Sequence, residues 1–155
     1  MRKNKSLTVL ISLLAVLCIV FAGCSSQPKP ENIEQYLEQN EELTAQLESI
    51  AGASGWDLSI SGNAIVFTYD VNNMQGMTEE FALSDSFKSA VESAIDSQEG
   101  TYKEVTGSIR DQSGMQDFTL SIIYKYGDTE IVNKTYTAED GLSEEEVQEI
   151  KDDAA

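Results

Sequence analysis

Trp56-Asp57-Leu58-Ser59-Ile60-Ser61-Gly62-Asn63-Ala64-Ile65-Val66-Phe67-Thr68-Tyr69 is the stretch that decides the fold. Trp56, Leu58 and Ile60 alternate with Asp57, Ser59 and Ser61. That period of two puts one row of side chains on an apolar face and the other in water. Ile65, Phe67 and Tyr69 then alternate in a second run. Gly62-Asn63 between the runs is a two-residue turn signal, so the stretch predicts a β-hairpin.

Working outward, a second hairpin is predicted near the end of the chain. Phe118, Leu120, Ile122 and Tyr124 alternate, Gly127-Asp128 turns, and Glu130 to Thr137 returns. A two-residue loop sets Lys125 opposite Glu130, a small favourable cross-strand pair. Ile131, Val132 and Tyr136 do not fall on one face, which leaves the register of the last strand open.

Helical spacing fills the rest. Ile33, Tyr36, Leu37, Leu43, Leu47 and Ile50 form one stripe, with Asn32 as N-cap and Glu34, Glu38, Glu41, Glu42 and Glu48 on the solvated side. Gly52 and Gly55 end it. Asp70 to Glu80 is expected as a loop holding Met74, Gly76 and Met77. Phe87, Ala90, Val91, Ala94 and Ile95 form a second stripe, started by Ser84 or Ser86. After Gly100, Tyr102, Val105 and Ile109 continue as a third helix that stops at Ser113-Gly114. The order is α-ββ-α-α-ββ. Two hairpins in so short a chain predict an α+β fold: one four-stranded antiparallel sheet with helices packed on one face. Ser49-Ile50-x-x-x-Ser54-Gly55 echoes Ser108-Ile109-x-x-x-Ser113-Gly114, which raises a tandem αββ repeat as a hypothesis.

Several of these segments carry a resemblance. They are Leu47-Glu48-Ser49-Ile50, Trp56 to Ile60, Gly62 to Tyr69, Phe87 to Ile95, Ile122-Ile123-Tyr124 and Gly127 to Ile131. Over about 33–137 the chain resembles an uncharacterised domain, catalogued as of unknown function, found in small lipoproteins of Gram-positive anaerobes. The resemblance implies the fold arrangement and a surface location. It brings no catalytic residue with it.

The N-terminus reads as an export signal. Met1-Arg2-Lys3-Asn4-Lys5 is basic, and Leu7 to Phe21 is an apolar run of 15 residues. That is short of the roughly 20 needed to span a bilayer but suits a secretory h-region. Phe21-Ala22-Gly23-Cys24 resembles a lipobox, with Phe where Leu is usual. Cleavage between Gly23 and Cys24 is expected, with diacylglyceryl transfer to the Cys24 thiol. One acyl chain holds a membrane only marginally, so a stable anchor needs a second. The boundaries expected are 1–23 signal peptide, 24–32 tether with Pro28 and Pro30, 33–139 globular domain and 140–155 acidic tail, where Ser143 and Glu146 form a capping box.

Composition narrows the function. The 155 residues include two cysteines, Cys18 and Cys24, and no histidine. Cys18 leaves with the signal, so the mature chain holds no internal disulfide. Losing Arg2, Lys3 and Lys5 takes Lys+Arg from 10 to 7 against 27 acids, a net charge of −20. Such a surface repels nucleic acid, anionic lipid and anionic wall polymers. Without histidine there is no Ser-His or Cys-His nucleophile. Ser84-Asp85-Ser86-Phe87-Lys88 has the wrong spacing for a Ser-Lys dyad. Asp70-Val71-Asn72-Asn73-Met74-Gln75-Gly76 starts like a calcium loop, but Met74 occupies the fifth position and Phe81 the closing one. No metal, cofactor or catalytic residue is assigned.

Two features point to contact surfaces. Met74 and Met77 suit adaptable apolar binding, although tucking against the sheet edge is the plainer role. Trp56, Tyr69, Tyr124 and Tyr136 either form the core or, on a bare sheet face, an exposed patch. The expectation is therefore a membrane-anchored extracellular lipoprotein acting as a non-enzymatic binding or interaction module. Its partners are the membrane through Cys24 and a protein, with no nucleic acid. The competing classes are a hydrolytic or accessory enzyme using a carboxylate pair and an acidic spacer without a specific partner.

Overall fold

Asn32 begins the first helix by the device its side chain predicts: its Oδ1 accepts the Gln35 N–H at 2.9 Å. The computed structural model describes residues 29–143 and 145–148. The signal segment, Gly23 and Cys24 lie outside the described residues. The predicted first helix is two, α1 (Ile33–Glu38) and α2 (Glu41–Ser54). Side chains make the break: Asn40 Nδ2 donates to the Tyr36 carbonyl at 2.6 Å and Thr44 Oγ1 to the Leu37 carbonyl at 2.7 Å. These bonds compete with the helical ladder. The apolar stripe survives it, and Ile33, Leu37, Leu43, Leu47 and Ile50 are all buried.

α2 ends at Gly55, whose φ of 74° is the left-handed cap that glycine adopts without strain. The hairpin follows as expected: β1 (Asp57–Ser61) pairs antiparallel with β2 (Ala64–Asp70) around Gly62-Asn63. A 3-10 turn at Val71–Asn73 leads to α3 (Glu79–Ala82), α4 (Asp85–Asp96) and α5 (Glu99–Ser113). Ser84 is the cap of α4, and Gly100 lies within α5 rather than before it. α3 falls on the end of the segment expected as loop. Thr78 caps it through Oγ1, which accepts the Phe81 N–H, and Glu79 and Glu80 occupy the first turn, where acids favour a helix start.

β3 (Thr119–Tyr126) and β4 (Thr129–Thr137) complete a sheet of order β1-β2-β3-β4. The expectation of a purely antiparallel sheet is corrected here. β3 runs parallel to β2, from Ala64 opposite Thr119 to Asp70 opposite Lys125. The cause is the helical connection between the hairpins, which returns the chain to the end where β2 began; a parallel pair needs such a crossover. The Thr119 N–H binds the Asn63 carbonyl at 2.8 Å and fixes that start. The tandem repeat also fails. β1 and β3 would be equivalent strands, yet they run in opposite directions while α2 and α5 cover the same sheet face. No rotation meets both conditions while keeping the strand order β1-β2-β3-β4. The echoing Ser-Gly sequences are two separate left-handed caps, at Gly55 and Gly114.

The sheet has two unlike faces. One carries Leu58, Ile60, Ile65, Phe67, Leu120, Ile122, Val132 and Tyr136 into the core cluster. Ile50 of α2 and Tyr102 and Val105 of α5 meet Phe67, Leu120 and Ile122 there. The other face carries Ser59, Val66, Thr68, Ser121, Ile123, Asn133 and Thr135, none of them buried. Ser121 and Thr135 share a hydrogen bond across it at 2.8 Å. The open register question has a bulge as its answer. Tyr124 faces Val132 and Lys125 faces Glu130, so Ile131 is an extra residue. That bulge lets Ile131 and Val132 both turn inward.

After β4 the chain does not leave the domain. A 3-10 turn at Ala138–Asp140 lays it against α5. The Leu142 N–H binds the Lys103 carbonyl at 3.0 Å. Arg110 donates from one guanidinium nitrogen to the carbonyls of Ala138 and Gly141, at 3.1 and 2.9 Å. Gly107 and Gly141 permit this approach: a Cβ on Gly107 would overlap the Leu142 carbonyl. Beyond it, Glu146 Oε2 accepts from both the N–H and the hydroxyl of Ser143 at 2.8 Å, heading a helical turn at 145–148.

Candidate functional site

The sheet has two ends, and different chemistry gathers at each. Residues 29–32 enter at the Gly62-Asn63 turn. The Ile33 N–H binds Asn63 Oδ1 at 3.0 Å, the Glu34 N–H binds the Gly62 carbonyl at 3.0 Å, and Glu34 Oε2 accepts the Gly62 N–H at 2.8 Å. Asn63 Nδ2 reaches Asp117 at 2.9 Å and ties the same end to the approach to β3. β2 then carries the chain roughly 20 Å, at about 3.3 Å per residue, to the far end at Asp70.

Three aromatics meet toward that far end. Trp56 lies 5.2 Å from Tyr69 and 5.0 Å from Tyr124, ring centre to ring centre, and Tyr69 and Tyr124 are 5.7 Å apart. The tilted and edge-on geometries are those that aromatic quadrupoles favour. The strand register dictates the group, because Tyr69 and Tyr124 are direct neighbours on β2 and β3. The Trp56 backbone is fixed by its amide N–H on the Ala51 carbonyl at 2.9 Å, just past the Gly55 cap. All three lie on the helix-covered face. They are not an exposed patch on a bare sheet. Burial, with Tyr69 adding, pushes the Tyr124 phenol up to about 12, so it is neutral near physiological pH. Tyr136, the fourth aromatic considered, stands apart and packs on Tyr102 at 5.5 Å.

Asp70, the first residue of the calcium-like loop, is already engaged. Asp70 Oδ1 accepts from the Asn72 N–H at 2.9 Å and the Gly127 N–H at 3.1 Å, so it holds two turns together. No group of three or more acids or cysteines among the described residues is placed to hold a metal ion. Ser84 Oγ accepts the Phe87 N–H and donates to the Phe81 carbonyl at 2.6 Å, a capping role, and Lys88 is exposed. A cavity of about 20 Å³ lies between helices and sheet, lined by Ile50, Trp56, Phe67, Tyr102, Val105, Leu120 and Ile122. A water fits that volume, but the apolar lining gives it no partner.

What the sequence reading missed lies in the first part of the crossover. Phe81 is 53% exposed, Leu83 43% and Met74 42%; these are the exposed large hydrophobics of the described residues. Met77 is half-buried against the core, so the two loop methionines part company. The signal for Phe81 and Leu83 was present. They flank the fully buried Ala82, and residues adjacent on a helix cannot all point inward. The Phe81 ring rests on Phe87 at 5.4 Å. Glu79, Glu80 and Asp85 stand exposed beside them.

No helix of the described residues is long and apolar enough to cross a membrane. No curated protein and no solved structure matches the chain. One family profile does, across residues 33–136, from the first core isoleucine of α1 to the last core tyrosine of β4. The chain therefore belongs to the DUF4854 family, a domain of unknown function.

Proposed function

We propose that this chain is a lipoprotein of a Gram-positive bacterium, held on the outer face of the cytoplasmic membrane by a diacylglyceryl group on Cys24. There its DUF4854 domain acts as a non-enzymatic binding or interaction module. The observation that carries the anchorage is the N-terminal order: basic Arg2, Lys3 and Lys5, an apolar run to Phe21, then Ala22-Gly23-Cys24. The structure is compatible with a tether, since residues 29–32 enter at one end of the sheet. The module reading draws on a sequence without histidine and on the capping roles of Ser84 and Asp70. Mass spectrometry of the protein from native membranes tests the anchor. The mature chain is expected to begin at Cys24 with acyl mass, and Cys24→Ser to lose that mass and leave the membrane fraction. Wild type starting elsewhere, without acyl mass, would overturn it. Cross-linking on intact cells, paired with a broad hydrolase screen on the purified protein, tests the module. Substrate turnover, or no specific cross-link, would sink that part.

A further inference from the structure

We infer that the first part of the crossover, Met74 to Phe87, is a docking surface for a cationic amphipathic segment of another protein. The inference rests on the interaction-module reading and gives it a place and a partner chemistry. Met74, Phe81 and Leu83 carry the large apolar exposure of the described residues, and all fall within ten positions. An isolated exposed leucine needs no explanation, but a concentration of this kind marks contact sites. Phe81 and Phe87 pack ring to ring at a tilt of 57°, so part of this surface is held in shape before anything binds. A flexible methionine and a pair of aromatic rings along one segment suit an apolar partner face.

Charge selects among the occupants. Glu79, Glu80 and Asp85 are exposed in the same stretch, against Lys88 next along the chain and Lys125 opposite Asp70 where the stretch begins. A second copy of this chain would bring the same acids face to face, on a molecule whose net charge is −20 once residues 1–23 are removed. An anionic lipid surface meets the same repulsion. Position argues against the membrane as well. The segment begins just past Asp70, at the end of β2 opposite the turn where residues 29–32 enter, so a chain tethered there points the start of this segment outward. What fits is a helix or strand with apolar side chains bordered by Lys or Arg.

The test is a titration of the full chain, in detergent, with a fluorescent amphipathic helical peptide of leucine and lysine. Binding is expected to weaken at least about ten-fold in Phe81→Ser/Leu83→Ser. Glu79→Gln/Glu80→Gln should weaken it and flatten its salt dependence. Glu38→Gln/Glu48→Gln removes the same charge elsewhere and should leave binding near wild type. All these side chains are exposed, so unchanged circular dichroism checks the fold. Equal binding by the Phe81/Leu83 variant would overturn the proposal, because attraction would then be to acids in general. So would Phe81-dependent binding to phosphatidylcholine vesicles or Phe81-dependent dimerisation. If cellular cross-links are specific but map outside residues 74–87, this surface falls and the module stands.

Discussion

The two ends of the crossover between β2 and β3 treat apolar side chains in opposite ways. α5 is enclosed on two sides. Tyr102, Val105 and Ile109 face the sheet, and Thr106 and Gly107 lie against the returning segment 138–142. α3 has Ala82 alone fully buried, with Phe81 and Leu83 left outside. Residue size accounts for the difference. α5 puts small residues on its second face, so another backbone can close over it. α3 and its cap put bulky ones there, and these stay exposed, Phe81 with its ring on Phe87. Stability and the candidate contact surface therefore occupy separate stretches of one connection.

The largest effect expected from this contrast is in the core. Ile109→Ala removes a side chain that is 1% exposed, and should destabilise by about 3 kcal/mol through lost burial and a residual cavity. Phe81→Ala deletes a larger side chain but should cost under about 1 kcal/mol, since half of that side chain is already in water. Urea unfolding of both variants decides the matter. Comparable losses would mean that α3 is a structural element and that the contrast is false.

The second side of α5 gives a test in which the sign changes. Alanine in place of glycine inside a helix gains about 1 kcal/mol. At Gly107 the new methyl would overlap the Leu142 carbonyl, so the returning segment must move. Gly107→Ala should therefore lower stability by about 1–2 kcal/mol and speed exchange of the Leu142 amide, which is bonded to the Lys103 carbonyl. In a chain stopped after Asp140, the same substitution should become stabilising. A loss in both backgrounds would show that Gly107 matters for another reason.

Much of this architecture was readable in the residues, and the failures have definite causes. Local signals carried well: Gly62-Asn63 made its hairpin, Asn32 and Ser84 capped their helices, and Lys125 met Glu130. The parallel pairing of β2 and β3 was not legible, because strand direction depends on where a long helical connection returns the chain, and no local pattern encodes that. The Ile131 bulge was invisible for a related reason: alternation cannot show which residue a partner strand will skip. For the candidate surface, the composition of Met74 and Met77 drew attention to the right segment. Phe81 and Leu83 were overlooked because hydrophobic residues near a helix start suggest burial until the neighbour between them is seen to claim the inward position.

A smaller effect is expected where α5 meets β4. Tyr136 is 2% exposed, and its hydroxyl has no hydrogen-bond partner among the described residues. Burial and the charges of Glu99, Asp96 and Asp140 push its phenol up to about 12. A buried donor without a partner costs stability, so Tyr136→Phe should be stabilising by about 1 kcal/mol while keeping the ring against Tyr102. A loss of stability would reveal a bond to that hydroxyl.

The smallest effect concerns the carboxylate that shapes the returning segment. Asp140 Oδ2 accepts the Thr137 N–H at 2.7 Å and the Thr137 hydroxyl at 2.8 Å. These bonds hold its carboxyl below the ordinary 3.8, and Lys103 adds to them. A lowered pKa in the folded state means stabilisation that is complete above the unfolded value and lost as pH falls from there through the lower folded value. The segment should therefore loosen on α5 below about pH 4 and not at neutral pH. Water screens this exposed group, so the change is expected to stay under about 0.5 kcal/mol. Amide exchange at Leu142 is a more sensitive readout than global unfolding, since that bond opens with the segment. Glu146 is lowered for the same reason by Ser143, so acid should also loosen the turn at 145–148. Asp140→Asn separates the two: the Leu142 amide should lose its acid step while the 145–148 turn keeps its own. If Leu142 still responds to acid in that variant, Asp140 does not hold the segment, and the enclosure of α5 depends on Arg110 and the glycine contact alone.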